Sequence, residues 1–178
     1  MSRSIRLVVS FDPGVSNFGV AGLSISDERT YLEFQKTFDI RGQVRDLDPE
    51  KLHEVLDEVD QLVGVMEHKY KMENETLWVL EYQPPLATRQ NPGLVRNNTF
   101  IEAFVQCWIM EQGFPFKKVA PASVKRHFNF PKAQYGGQYH SNKRYSISQA
   151  RLILGGVWVN DHIADCVLNG VYGASSSL

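Results

Sequence analysis

The order of apolar patterns along the chain predicts an α/β domain, a mixed β-sheet with helices on both faces. Two β-branched apolar runs with a glycine-punctuated turn between them open the chain, and helix-period and strand-period segments then alternate. The composition bounds the reading. A chain of 178 residues with 43% hydrophobic and 11% aromatic content suits one domain, residues 1–178, with a substantial core; disordered, collagen-like and disulfide-stapled classes are excluded.

Ile5–Phe11 is the first strand, and Gly14, Asn17 and Gly19 turn the chain into Val20–Ile25, which reads as a hairpin. Tyr31–Ile40 alternates imperfectly and makes a third strand. Leu52, Val55, Leu56, Val59, Leu62, Val63, Val65 and Met66 recur at helical spacing, predicting a helix over Pro49–Tyr70 with acids on its outer face. Thr76–Leu80 is a short buried strand that delivers Glu81 at its end. Asn91-Pro92 opens a helix carrying Phe100, Ile101, Phe104, Val105, Trp108 and Ile109, and Gly113 stops it. Its apolar stripe is mostly core, with a part suited to a dimer contact. After a strand at Phe116–Ala120, Pro121 and Ser123 open a short helix. Pro131–His140, with Gly136-Gly137 at its centre, reads as a mobile loop, and helices over Ser141–Leu154 and Asp161–Tyr172 complete the chain. Cys107 and Cys166 both lie in apolar stretches and read as buried thiols with no disulfide, as in a reducing compartment. With no signal-like or membrane-length apolar run, a soluble intracellular protein is expected, its compartment left open.

The net charge of −1 conceals a sharp asymmetry. Between Asp27 and Glu75 there are 14 acidic and 7 basic residues. Between Glu111 and Asp161 there is no acid and there are eight bases: Lys117, Lys118, Lys125, Arg126, Lys132, Lys143, Arg144 and Arg151. Phosphate attraction acts within a Debye length of about 10 Å, so local charge of this kind can hold a nucleic-acid backbone on a protein that is neutral as a whole. Charge runs are usually solvated faces. Here the lack of interspersed acids and the company of His127, Tyr135, Tyr139 and His140, rings able to stack on bases, favour a polyanion surface. A second polar cluster, Arg89, Gln90, Asn91, Arg96, Asn97 and Asn98, brackets the helix start at Pro92. A helix N-terminus favours anions, and a capped polar loop explains the cluster equally well.

Four acids fall at telling places: Asp12 and Glu81 at strand ends, Asp161 and Asp165 in the opening of the last helix. Singly each has an ordinary role. Asp12 before Pro-Gly initiates turns, Glu81 is a strand-end carboxylate, Asp161 is a helix cap, and His162 is a surface histidine. Jointly, with the basic segment between the second and third acid, they suit a hard divalent cation, which prefers oxygen ligands. Two such ions roughly 4 Å apart activate a water and stabilise the leaving oxygen of a phosphodiester. On a helix, Asp165 shares a face with either Asp161 or His162, and less readily with both.

Five segments add a resemblance. FDPGVSNFG (Phe11–Gly19), VLEYQ (Val79–Gln83) followed by an Asn-rich helix, VAPASVKRHF (Val119–Phe128), SNKRYSIS around Lys143 and DHIADCVLNG (Asp161–Gly170) come in the order seen in Holliday junction resolvases. The chain resembles the RuvC type, with a leaning towards the poxvirus branch. The resemblance implies an RNase H-like fold and a homodimer on a four-way DNA junction, each subunit nicking one of two symmetric strands with two Mg²⁺ or Mn²⁺ ions per site. It implies Asp12 as the metal-bridging aspartate, Glu81 as the second-strand glutamate and Asp165 as the last-helix aspartate. Lys143 would support the transition state, and Lys125 would be a second basic residue near the junction. Where many relatives carry Asp-x-x-Asp, this chain has His162-x-x-Asp165 with Asp161 one position earlier. Some bacterial members place a histidine there, so Asp161 and His162 both stand as candidate ligands, and a histidine shifts the preference towards Mn²⁺.

The expected reaction is in-line attack by a metal-activated water, leaving 5′-phosphate and 3′-hydroxyl ends. DNA contacts are expected from Arg89, Asn91, Arg96, Asn98, Lys117, Lys118, Lys125, Arg126, Lys132 and Arg144. Another nuclease of the RNase H class, acting on ends or on RNA–DNA hybrids, would share the acids, and a junction-binding protein with vestigial acids would share the basic segment. An actin-like sugar kinase would need two such domains, which 178 residues do not hold.

Overall fold

Alternation of side chains along extended backbone builds the sheet, because each strand presents one apolar set to each of two cores. The computed structural model describes residues 5–42, 47–72, 75–82, 92–131 and 138–175. β1 (Arg6–Asp12) and β2 (Phe18–Ile25) form the expected hairpin, and β3 (Thr30–Phe38) pairs antiparallel with β2. Helix α1 (Pro49–Tyr70) then crosses over to β4 (Leu77–Glu81), which runs parallel to β1. Helix α2 (Pro92–Glu111) leads to β5 (Phe116–Val119), parallel to β4, and α3 (Pro121–His127), α4 (Gln138–Ile153) and α5 (Asp161–Ser175) follow. The strand order is β3-β2-β1-β4-β5, the expected mixed sheet.

Leu7, Val9 and Phe11 of β1, Phe18 and Val20 of β2, and Trp78 and Leu80 of β4 face α1 and α2. Trp78 stacks on both Phe11 and Phe114, with ring centroids 5.7 Å and 5.0 Å apart. The intervening residues Val8, Ala21, Leu23 and Val79 face α3, α4 and α5. By the same alternation Asp12 and Glu81 belong to the α5 side. The parallel register pairs Ser10 with Val79 and Phe11 with Leu80, and one step further brings Asp12 and Glu81 abreast.

Helix α1 has the bounds its sequence predicts because both ends are specified locally. The Asp48 carboxylate accepts from the N–H groups of Glu50 and Lys51, Pro49 fits the first turn, and Lys71 closes the helix in the left-handed region at φ 57°. Two expectations are corrected. Cys107 is exposed, on the outer side of α2, and only Cys166 is buried; both are free thiols. Gln138–His140, read as loop, lie in the first turn of α4; the rest of that loop, 132–137, falls outside the described residues.

Helix α5 lies close on the sheet because it carries glycine where strand side chains press on it. A Cβ on Gly173 would sit 2.7 Å from Val79 Cγ2, and one on Gly170 2.8 Å from Leu23 Cδ1. Val79 is fully buried and stiff at χ1, so it cannot yield cheaply. Gly64 of α1 has nothing within 4 Å of such a Cβ. Thermal unfolding is therefore expected to separate two identical changes. Gly64→Ala raises stability by up to about 1 kcal/mol through helix propensity, whereas Gly173→Ala lowers it by about 1–3 kcal/mol through overpacking. Equal effects would contradict the close approach.

Candidate active site

Asp12 closes β1, Glu81 closes β4, and α5 lays Asp161, His162 and Asp165 across the same end of the sheet. His162 Nδ1 lies 3.1 Å from Asp12 Oδ2, and its Nε2 lies 3.8 Å from Asp161 Oδ2. Glu81 Oε2 accepts from Asn169 Nδ2 at 2.9 Å, and Asp165 is hydrogen-bonded to Ser146 of α4. A cavity of about 100 Å³ opens between Glu81 and Asp165, bounded by Lys125, Phe130, Ser146 and Asn169.

The electrostatics show how near these groups are. Burial, followed by the charge of Asp12, pushes Glu81 up to about 8, against partial relief from Asn169; Asp165 adds repulsion and Lys125 relieves a little. Burial and then Asp12 raise Asp165 to about 6. The hydrogen bond to Asp12 raises His162, against the opposing effect of burial. Burial raises the Cys166 thiol well above its usual range, and Asp12, Asp165 and Glu81 all add to this, so the thiol beneath the acids is inert.

Asp161 has a different partner. Burial would raise its carboxyl, but the Lys143 ammonium hydrogen-bonded to it and the nearby His162 outweigh that, and its pKa ends below the usual value. The helix cap is Asn160, whose side-chain oxygen accepts from the Ile163 N–H at 2.9 Å, so the capping role considered for Asp161 falls to its neighbour. Asp161 is thus committed to Lys143, and His162 is the α5 residue facing Asp12.

The donor set suits a hard cation. Three carboxylates repel one another, compensated only in part by His162 beside Asp12 and by Lys125 and Lys143, and a divalent ion would relieve all three. Among the described residues no group of three or more His, Cys, Asp or Glu side chains is arranged to hold a metal ion by itself. Mg²⁺ is usually held by one or two carboxylates together with waters and substrate phosphates, so an open set of oxygens is the arrangement it takes.

The basic residues are distributed unevenly. Lys125 and Arg126 are exposed on α3, and Arg144 is exposed on α4. Arg96 and Asn98 lie in the first two turns of α2. Strand alternation splits the adjacent lysines of β5. Lys117 reaches the Gly173 carbonyl of α5 at 3.3 Å, whereas Lys118 turns to the other face and pairs with the buried Glu102 and, at 3.0 Å, with Gln106 of α2. Arg89, Gln90, Asn91, Lys132 and Tyr135 lie outside the described residues. Sequence reasoning missed Ser146 and Asn169, both almost fully buried, although an asparagine one helical turn beyond Asp165 was a legible signal.

A mixed sheet of this order with carboxylates at the ends of adjacent parallel strands defines an RNase H-like α/β fold. The structure is similar to that of RuvC of T. thermophilus in complex with a Holliday junction substrate, with a TM-score of 0.64 and 19% identity over 95% of this chain and 92% of that one. It is also similar to a Thermus thermophilus RuvC structure, with a TM-score of 0.65 and 20% identity over 94% of this chain and 93% of that one. The fold is that of RuvC. No family model matches the chain, and no curated protein matches it in sequence.

The raised carboxyls fix a pH dependence. Glu81 and Asp165 bind protons more tightly folded than unfolded, where 4.5 and 3.8 apply, so their contribution to stability is complete below about pH 4. It is lost as pH rises through about 6 and then about 8. In chelator, Tm should fall between pH 5 and 8 by at least about 5 °C. Glu81→Gln should flatten the upper part of that fall and Asp165→Asn the lower; unchanged slopes in both would contradict the assignment.

Proposed function

We propose that this chain is a structure-selective DNA endonuclease of the RuvC type, which resolves four-way junctions by paired symmetric nicks. The observation that carries the reading is the meeting of Asp12, Glu81 and Asp165 at one end of a RuvC-like sheet, three residues drawn from positions up to 153 apart in the sequence. Divalent cations, Mg²⁺ or Mn²⁺ and two per site, would supply the positive charge that promotes attack of water on the scissile phosphorus and stabilises the leaving oxygen.

The chain's own groups do the rest. Asp12 faces His162 at 3.1 Å and its charge acts on both other carboxylates, so it would hold a divalent ion together with them. Glu81 and Asp165 both line the cavity and would supply oxygens to the ions, held by Asn169 and Ser146. His162 is the fourth ligand of choice, since Asp161 is neutralised by Lys143. Lys143, paired with Asp161, would offer a hydrogen-bond donor to the reacting phosphate, and Lys125 brings a cation to the cavity rim. Arg126 and Arg144 extend the positive surface from there, and the helix start at Arg96 and Asn98 offers further phosphate contacts.

Paired nicks on symmetric strands need two active sites. Phe100 and Met110 are exposed at 47% and 58%, and with the exposed Cys107 they line one stripe of α2, which supports a homodimer contact there. The DNA-facing side remains the edge bearing the acids.

A labelled mobile four-way junction incubated with the purified chain and Mg²⁺ tests the reading. Paired nicks at symmetric positions are expected. Asp12→Asn and Asp165→Asn should each reduce cutting by about a thousandfold or more while junction affinity stays within about twofold, as for groups that act only in the transition state. Digestion from ends, or cutting of RNA–DNA hybrids, would favour another nuclease of the class. Junction binding without cutting by the unmutated chain in any divalent ion would leave a binding protein.

A further inference from the structure

A second cleft, of about 410 Å³, adjoins the carboxylate cavity, and the two share Lys125 and Phe130 as a common wall. Its other polar groups are Arg126 and Asn129 at the end of α3 and Asn142 in the first turns of α4. No acid lines it. We propose that this cleft is a subsite for one nucleobase of the cut strand, the base next to the scissile phosphate, and that the amides of Asn129 and Asn142 read its edge. The inference rests on the endonuclease reading above and adds to it a determinant of cleavage sequence.

Three observations carry it. The first is continuity. A strand whose phosphate lies between Glu81 and Asp165 has the adjoining cleft as its next space past Lys125, and the volume is in the range of small-ligand pockets, ample for one nucleotide.

The second is the chemistry of the lining. Two cations and no carboxylate suit a phosphodiester chain. Two carboxamides, each both donor and acceptor, can pair with the donors and acceptors of a base edge. Phe130 adds a ring at the boundary on which a base can stack.

The third is rigidity, which discrimination requires. Phe130 packs edge-on against Tyr145, with ring centroids 4.7 Å apart, and the Tyr145 hydroxyl donates to the Phe128 carbonyl at 3.0 Å. Asn129 is in the left-handed region at φ 53°, and its N–H donates to Arg126 O at 3.2 Å while that of Phe130 donates to Lys125 O at 2.9 Å. The turn that carries the amide and the ring is therefore fixed to α3, and α4 supplies the facing amide. Taking one base out of its stack costs a few kcal/mol, and least where its pairing is already broken.

The test uses four-way junctions randomised on both sides of the crossover, cut by the full chain with Mg²⁺ and sequenced at the nicked ends. The unmutated chain is expected to prefer particular bases at one position beside the nick. Asn129→Gly keeps the left-handed backbone and Asn142→Ala suits a helix, so both variants should fold, which Tm verifies. The double variant should lose about tenfold in discrimination at that one position, by slowing on the preferred base, while preferences elsewhere persist. An unchanged preference profile, or a rate loss equal for all sequences, would overturn the subsite and leave the endonuclease reading standing. If the unmutated chain cuts no junction, both fall together.

Discussion

Carboxylates set side by side at the ends of two parallel strands, beneath a helix that limits water, repel one another and lose hydration. The fold holds them there nonetheless. The sheet register brings Asp12 and Glu81 abreast, and the glycines of α5 allow Asp165 to close over them. Burial then pushes Glu81 to about 8 and Asp165 to about 6, and the proton is the smallest cation that can relieve the strain. A divalent ion would relieve it more completely. The surrounding polar groups make sense in this light: Asn169 and Ser146 each hold one carboxylate without adding charge, and Lys125 stands at a distance that offsets the repulsion only in part.

The same packing separates the two sides of the molecule. The aromatic core around Trp78 lies against α1 and α2 and anchors the sheet. The opposite face, under α3, α4 and α5, carries the acids and the acid-free basic segment. Lys117 and Lys118 mark the divide, since successive strand residues point to opposite faces and only Lys117 stays on the α5 side. The acidic span from Asp27 to Glu75 belongs to β3 and α1, so the chain's near-zero net charge is a sum over regions of opposite sign.

Much of this was legible in the sequence where the determinant is local. Asp48, Pro49 and the apolar period of α1 specify that helix without tertiary help, and its bounds match residue for residue. Asp12, Glu81 and Asp165 could be singled out because their places at element ends follow from pattern alone. Local signals failed elsewhere. Gln138–His140 carries no start signal, so α4 begins earlier than its apolar pattern suggests. Cys107 has apolar neighbours yet lies on the outer stripe of α2, a choice set by which face meets the sheet. The partners of Glu81 and Asp165 depend on how α4 and α5 pack on the strands, and the pairing of Asp161 with Lys143 joins residues 18 apart across two helices.

Anomalous diffraction from crystals soaked in Mn²⁺ tests the central claim most directly. Manganese should lie against the carboxylates of Asp12, Glu81 and Asp165, with His162 beside it and Asp161 still turned to Lys143. Manganese found only elsewhere on the molecule, with those three carboxylates unligated, would contradict it.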